Sequence, residues 1–144
     1  MANFTTPLVV TKLPGTFWEV AAPFTYHLGA PNGPEFVAIP IGTITDFASI
    51  PRPLWAVWPP TGTYGKPAVI HDALYQFPYL SCGMGCLRYT DRSEADAILK
   101  EGMEVLSVGR FTRWSIYTGV RLGGWKPWNR YRLVDRRATS LWKL

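Results

Sequence analysis

The chain has 144 residues, a formal net charge of +5, two cysteines, 13 prolines, 13 glycines and seven tryptophans. Its hydrophobic share of 47% excludes a disordered tail, and its charged share of 17% excludes a long solvated helix or coiled coil. Two cysteines exclude both a disulfide-dense scaffold and an all-cysteine zinc site, and no apolar run is long enough for a membrane span.

The first 41 residues read as mainly β. Leu8-Val9-Val10, Phe24 to Leu28 and Glu35 to Ile39 are short extended pieces, rich in β-branched and aromatic residues. Pro14-Gly15 and Pro31-Asn32-Gly33-Pro34 punctuate them as turns. A small antiparallel sheet is the expectation. Residues 42–65 form a Pro/Trp-rich loop with at most one helical turn between Pro51 and Pro60.

Residues 66–124 read as helical. Pro67 suits a first helical turn, since its missing N–H would be unpaired there anyway. Val69, Ile70, Ala73, Leu74 and Phe77 follow helical spacing until Pro78. Asp91 with Glu94 is a capping-box-like start for a second helix, whose apolar stripe runs from Ala95 to Leu106. A third helix runs from Phe111 to about Leu122 and stops at Gly123-Gly124. The predicted fold class is therefore α+β in one domain, a small N-terminal antiparallel sheet followed by about three helices. Residues 125–144 read as a basic aromatic tail. The start, MANFTTPLVVTKLPG, lacks a basic segment followed by an apolar one, so no secretory signal is expected.

The candidate chemistry is concentrated in His71-Asp72-x-x-Tyr75 and Arg92-x-x-x-Asp96. His71 and Tyr75 share a helix face, and Asp72 lies about 100° round from His71. A histidine acts as a base near neutral pH when a carboxylate fixes its tautomer, and Asp96 is the candidate for that task. Asp72 would then be left to bind a hard cation through oxygen. The competing reading is a buried polar network that only pins two helices together.

This helix pair resembles the catalytic helices of the prokaryotic type of phospholipase A2. The resemblance implies that His71 activates water, that Asp96 orients His71 and that Asp72 binds calcium, with Asp46 as a nearby oxygen. Tyr75 joins the catalytic set. A second pattern covers nearly the whole chain: Thr45-Asp46-Phe47-Ala48-Ser49-Ile50-Pro51-Arg52, His71-Asp72-x-Leu74-Tyr75, Arg92-x-x-Ala95-Asp96 and Arg121-Leu-Gly-Gly-Trp125. It resembles a family of small proteins of unknown function encoded by tailed bacteriophages and prophages. That resemblance implies a virion or tail-associated protein, assembled in the host cytoplasm among other phage structural proteins.

Asp46, Ser49 and Arg52 read either as a turn or as part of the same site. His27 is the one other histidine, too few for a metal-dependent phosphohydrolase. Cys82 and Cys86 read as two free thiols, with a small disulfide as the alternative.

The charge is unevenly spread. From Ser107 to Leu144 nine Lys/Arg face a single acid, a net of +8, against −3 for the preceding residues. Arg113, Trp114, Arg121, Trp125, Lys126, Trp128, Arg130 and Arg132 interleave as a candidate interface. Protein subunits are the expected partner, anionic lipid headgroups the second, and a solvated basic face with inward tryptophans the bland alternative. No motif for nucleic-acid binding frames the patch.

Overall fold

The computed structural model describes Phe4, residues 7–47, Ala56 and residues 65–141, with the backbone alone over 136–141. Ser49, Arg52 and most of the Pro/Trp-rich segment lie outside the described residues.

The fold is α+β, with two small antiparallel sheets and four helices among the described residues. Strands β1 (Val10–Lys12), β2 (Trp18–Val20) and β5 (Ile44–Thr45) form one sheet in the order β1-β2-β5. Strands β3 (Phe24–His27), β4 (Phe36–Ile39), β6 (Tyr79–Ser81) and β7 (Leu87–Tyr89) form the other in that order. In β3 and β4 the period-2 alternation buries one face. Phe24 pairs with Ile39 and Tyr26 with Val37, and all four side chains are buried.

The β6–β7 hairpin corrects the sequence expectation of a loop between the first two helices. Its tip turns through Gly83, Met84 and Gly85, all at positive φ, a conformation that glycine adopts without steric cost. Cys82 and Cys86 are joined across that tip by a disulfide, so the expectation of two free thiols is also corrected.

Helix α1 (Gly65–Gln76) is buried on nearly every side, including Val69, Ile70, His71, Asp72, Leu74 and Tyr75. It packs most extensively on α2 (Arg92–Val105). The two approach closely at Gly102, where an added Cβ would lie 3.2 Å from the Pro67 ring. The Asp91 side chain caps α2 by accepting from the Glu94 N–H at 2.8 Å, as the sequence pattern predicts. At the other end Ser107 adopts φ 57, while Val108 N–H donates to Met103 and Ser107 N–H to Glu104. This is a Schellman-type stop with serine where glycine is usual.

α3 (Arg110–Gly123) stops where the glycine pair predicts. Within the basic aromatic tail, Trp125–Leu141 forms a fourth helix, α4, one more than the sequence predicts. Its Pro127 lies in the first turn, where a missing N–H is harmless. Arg132 of α4 donates to the Tyr75 carbonyl at 2.6 Å and the Gln76 carbonyl at 3.2 Å, satisfying the C-terminus of α1.

One hydrophobic cluster links the strands to the helices, from Phe4, Val20 and Tyr26 through Leu74 and Leu99 to Ile116 and Trp128. Glu101 of α2 accepts from Tyr26 Oη and from the Gly29 N–H, tying the larger sheet to the helices.

Candidate functional site

The centre of the site is Asp96, whose side chain is fully buried. Its Oδ1 accepts from His71 Nε2 at 2.6 Å and from Tyr75 Oη at 2.6 Å. Its Oδ2 accepts from Arg121 at 2.7 Å and from Arg92 at 3.4 Å. The α1–α2 packing makes this possible: residues four apart on α1 place His71 and Tyr75 side by side, with ring centroids 4.2 Å apart. Arg92 also donates to the Val120 carbonyl at 3.2 Å, so α3 is fastened to the same network.

Burial alone would raise the pKa of Asp96. The hydrogen bonds from His71, Tyr75 and Arg121 outweigh it and hold the carboxyl below the usual carboxylate range. Tyr75 moves the other way: burial first, and then its bond to the Asp96 carboxylate, push its phenol upward and keep it protonated. Tyr75, placed by sequence among the catalytic residues, donates to Asp96 and also lines the cleft beside His71.

His71 is only 2% exposed, yet its side chain lines a cleft of about 460 Å³. Asp72, Asp46, Gly119, Gly123, Lys126, Arg130 and Tyr131 complete much of the wall. Asp72 accepts a hydrogen bond from Thr45 Oγ1, and the same hydroxyl accepts from the Phe47 N–H at 3.1 Å. Phe47 is fully buried at φ 53. That turn anchors its own side chain in the core while Asp46 lines the cleft with Asp72. Burial, followed by the nearby charges of Asp72 and Asp46, raises the pKa of Tyr131. Among the described residues no three His, Cys, Asp or Glu side chains come together as a metal-holding group.

The eight interface residues divide in two. Arg121 turns inward to Asp96, and Arg132 stacks on buried Trp128 at 4.6 Å while holding the α1 carbonyls. Arg113 reaches the Val108 carbonyl at 3.3 Å and Glu104 at 3.6 Å. Trp114, Trp125, Lys126 and Arg130 remain exposed. His27, outside the site, contacts the Gly33 carbonyl through Nδ1 at 2.9 Å.

Sequence reasoning did not assign Thr45, Gly119, Gly123, Gly124 or Tyr131 to this site. Gly124 carries a signal in hindsight: an added Cβ would meet Tyr75 Oη at 2.4 Å. Gly124→Ala is expected to lower stability by about 1–3 kcal/mol through overpacking, more than the gain of up to about 1 kcal/mol from helix propensity. Thermal melting checks this, and a variant as stable as wild type would contradict the packing of Tyr75 against Gly124.

Neither the curated proteins nor the solved structures compared with this chain include a match. A family model does match residues 18–120, from β2 to Val120 of α3, and so contains Asp46, His71, Asp72, Tyr75 and Asp96. Since that match covers more than half of the sequence, the chain belongs to DUF1353, a family of proteins of unknown function.

Proposed function

We propose that this protein is a calcium-assisted acyl-ester hydrolase, phospholipase A2-like in its helix pair, that is encoded by a tailed phage or prophage and acts on host envelope lipid. The observation that carries this reading is the 2.6 Å contact between His71 Nε2 and Asp96, made in the wall of an open cleft. With the proton on Nε2 donated to Asp96, Nδ1 is the nitrogen that accepts a proton from water. Asp96 stabilises the imidazolium that forms, and Tyr75, Arg121 and Arg92 keep its carboxylate charged and in place. The water oxygen adds to the ester carbonyl, and the proton on His71 passes to the departing alcohol.

Asp72 and Asp46 offer the oxygen donors that calcium prefers, and waters and backbone carbonyls would complete its usual set of roughly six to eight ligands. Calcium, when bound, supplies positive charge for the developing oxyanion. Thr45 fixes the orientation of Asp72 through its hydroxyl. Fatty-acid release from phosphatidylglycerol vesicles tests the reading. Release is expected with calcium and is expected to stop with EGTA. Equal release under both conditions removes the metal, and no release under either overturns the hydrolase.

A second reading is a virion or tail-assembly protein that docks on partner phage subunits. The exposure of Trp114 and Trp125 beside Lys126 and Arg130 favours it. An antibody against the protein should then label purified particles or assembly intermediates, and absence from both sinks it. The readings are compatible, since a virion component can carry an enzyme.

A further inference from the structure

α3 buries only Ile116 and Val120. Three large apolar side chains on it are nevertheless exposed: Phe111 is 71% exposed, Trp114 63% and Leu122 74%. At about 100° per residue these three fall within an arc of about 80°. The Phe111 and Trp114 rings lie 6.4 Å apart. Trp125, 50% exposed, opens α4 just past Gly124, whose φ of −67° and ψ of −15° keep the backbone helical across the junction. The stripe therefore runs along α3 and onto α4. An apolar face of this kind on a water-facing helix marks an interaction surface.

The charges around the stripe favour an anionic partner. Arg110, Lys126 and Arg130 are exposed beside it. From Ser107 to Leu144 the one acid is Asp135, which pairs with Arg132 at 3.0 Å. Trp, Phe and Leu on one line with cations at the flanks match the boundary between headgroups and acyl chains of an anionic bilayer. There the rings sit among the headgroups and the cations meet phosphate. The stripe also borders the cleft. Gly119 and Gly123, about 80° and 120° round the helix from Phe111, line it together with Lys126 and Arg130.

We infer that the α3–α4 stripe of Phe111, Trp114, Leu122 and Trp125 docks on the surface of an anionic lipid bilayer, with the His71 cleft opening beside the headgroups. The inference deepens the proposed hydrolase by giving it a lipid-facing side, and rests on that reading for its purpose. Binding is measured separately from hydrolysis, so the two fail independently.

The experiment is sedimentation of the full chain with phosphatidylcholine vesicles, with and without phosphatidylglycerol, while following tryptophan emission. Wild type is expected to bind the anionic vesicles with a blue shift, and to bind less in high salt. His71→Ala should bind like wild type. A combined Phe111→Ser, Trp114→Ser and Leu122→Ser variant, at exposed positions and with a native circular dichroism spectrum, should lose binding by about a hundredfold. Unchanged binding by that variant, or no binding by wild type, overturns the inference. Self-association of wild type on gel filtration that the triple variant abolishes, without vesicle binding, would assign the stripe to a second copy of the chain and also overturn it.

Discussion

Asp96→Ala is expected to unfold far more easily than wild type, by about 3–5 kcal/mol, the cost of removing one partner from a buried ion pair. The reason is the number of groups that lose their acceptor together. His71, Tyr75, Arg121 and Arg92 all donate to this one fully buried carboxylate. Arg92 and Arg121 are partly exposed and recover some hydration, whereas His71 and Tyr75 are buried and recover little. Asp96→Asn keeps the shape and removes the charge. Its deficit should depend on pH with a definite sign. Because the folded-state pKa of Asp96 is depressed, its contribution is fully present above the ordinary carboxylate value of about 4. It is lost as pH falls through the lower folded-state value. Urea melts at a series of pH values should therefore show the gap between wild type and Asp96→Asn narrowing on acidification. A gap that stays constant down to strong acid would contradict a charged Asp96 at the centre of the network.

His71→Ala is expected to lower ester hydrolysis by about 10²–10⁴, the usual effect of removing a general base. The loss should fall on kcat and leave KM nearly unchanged, because the base acts in the transition state and the cleft walls that hold substrate remain. His71→Gln separates chemistry from packing. Its amide can still donate to Asp96 but cannot accept the proton from water, so it should keep more stability than His71→Ala while remaining equally inactive. A variant at His71 that loses stability and keeps activity would make the dyad a structural pin between α1 and α2. A polar network of that kind is the alternative that the sequence left open.

The helix pair was legible in the sequence because its signals are local. Apolar spacing, Pro67, Pro78 and the Asp91–Glu94 cap each act within a few residues, and α1 and α2 follow them. The pairing of His71 with Asp96 was an expectation from the chemistry a histidine base needs and from the resemblance of the helix pair, and the α1–α2 packing brings the two together. What could not be read depends on contacts distant in sequence. Arg121 reads as a candidate interface residue of the basic C-terminal third until α3 brings it to Asp96, 25 residues away. Trp128 and Arg132 likewise become internal only because α4 packs on α1. The fourth helix was hidden by the Gly123-Gly124 pair, which read as an ending. Gly124 instead makes room for Tyr75, and Pro127 occupies a first turn. The β6–β7 hairpin was hidden by its shortness, three residues per strand around a glycine-rich tip.

The overall charge of +5 also takes on a spatial meaning. The buried carboxylate lies among cations drawn from α2 and α3, and the exposed Arg110, Lys126 and Arg130 flank the apolar stripe. The proposed catalysis would then fall to α1 and α2, and the proposed docking to α3 and α4.

The most direct measurement of the central claim is fatty-acid release from phosphatidylglycerol in calcium, by wild type and His71→Ala side by side, with both shown to be folded. The dyad predicts steady release by wild type and release near the no-enzyme background by His71→Ala. Equal release by the two proteins would contradict it.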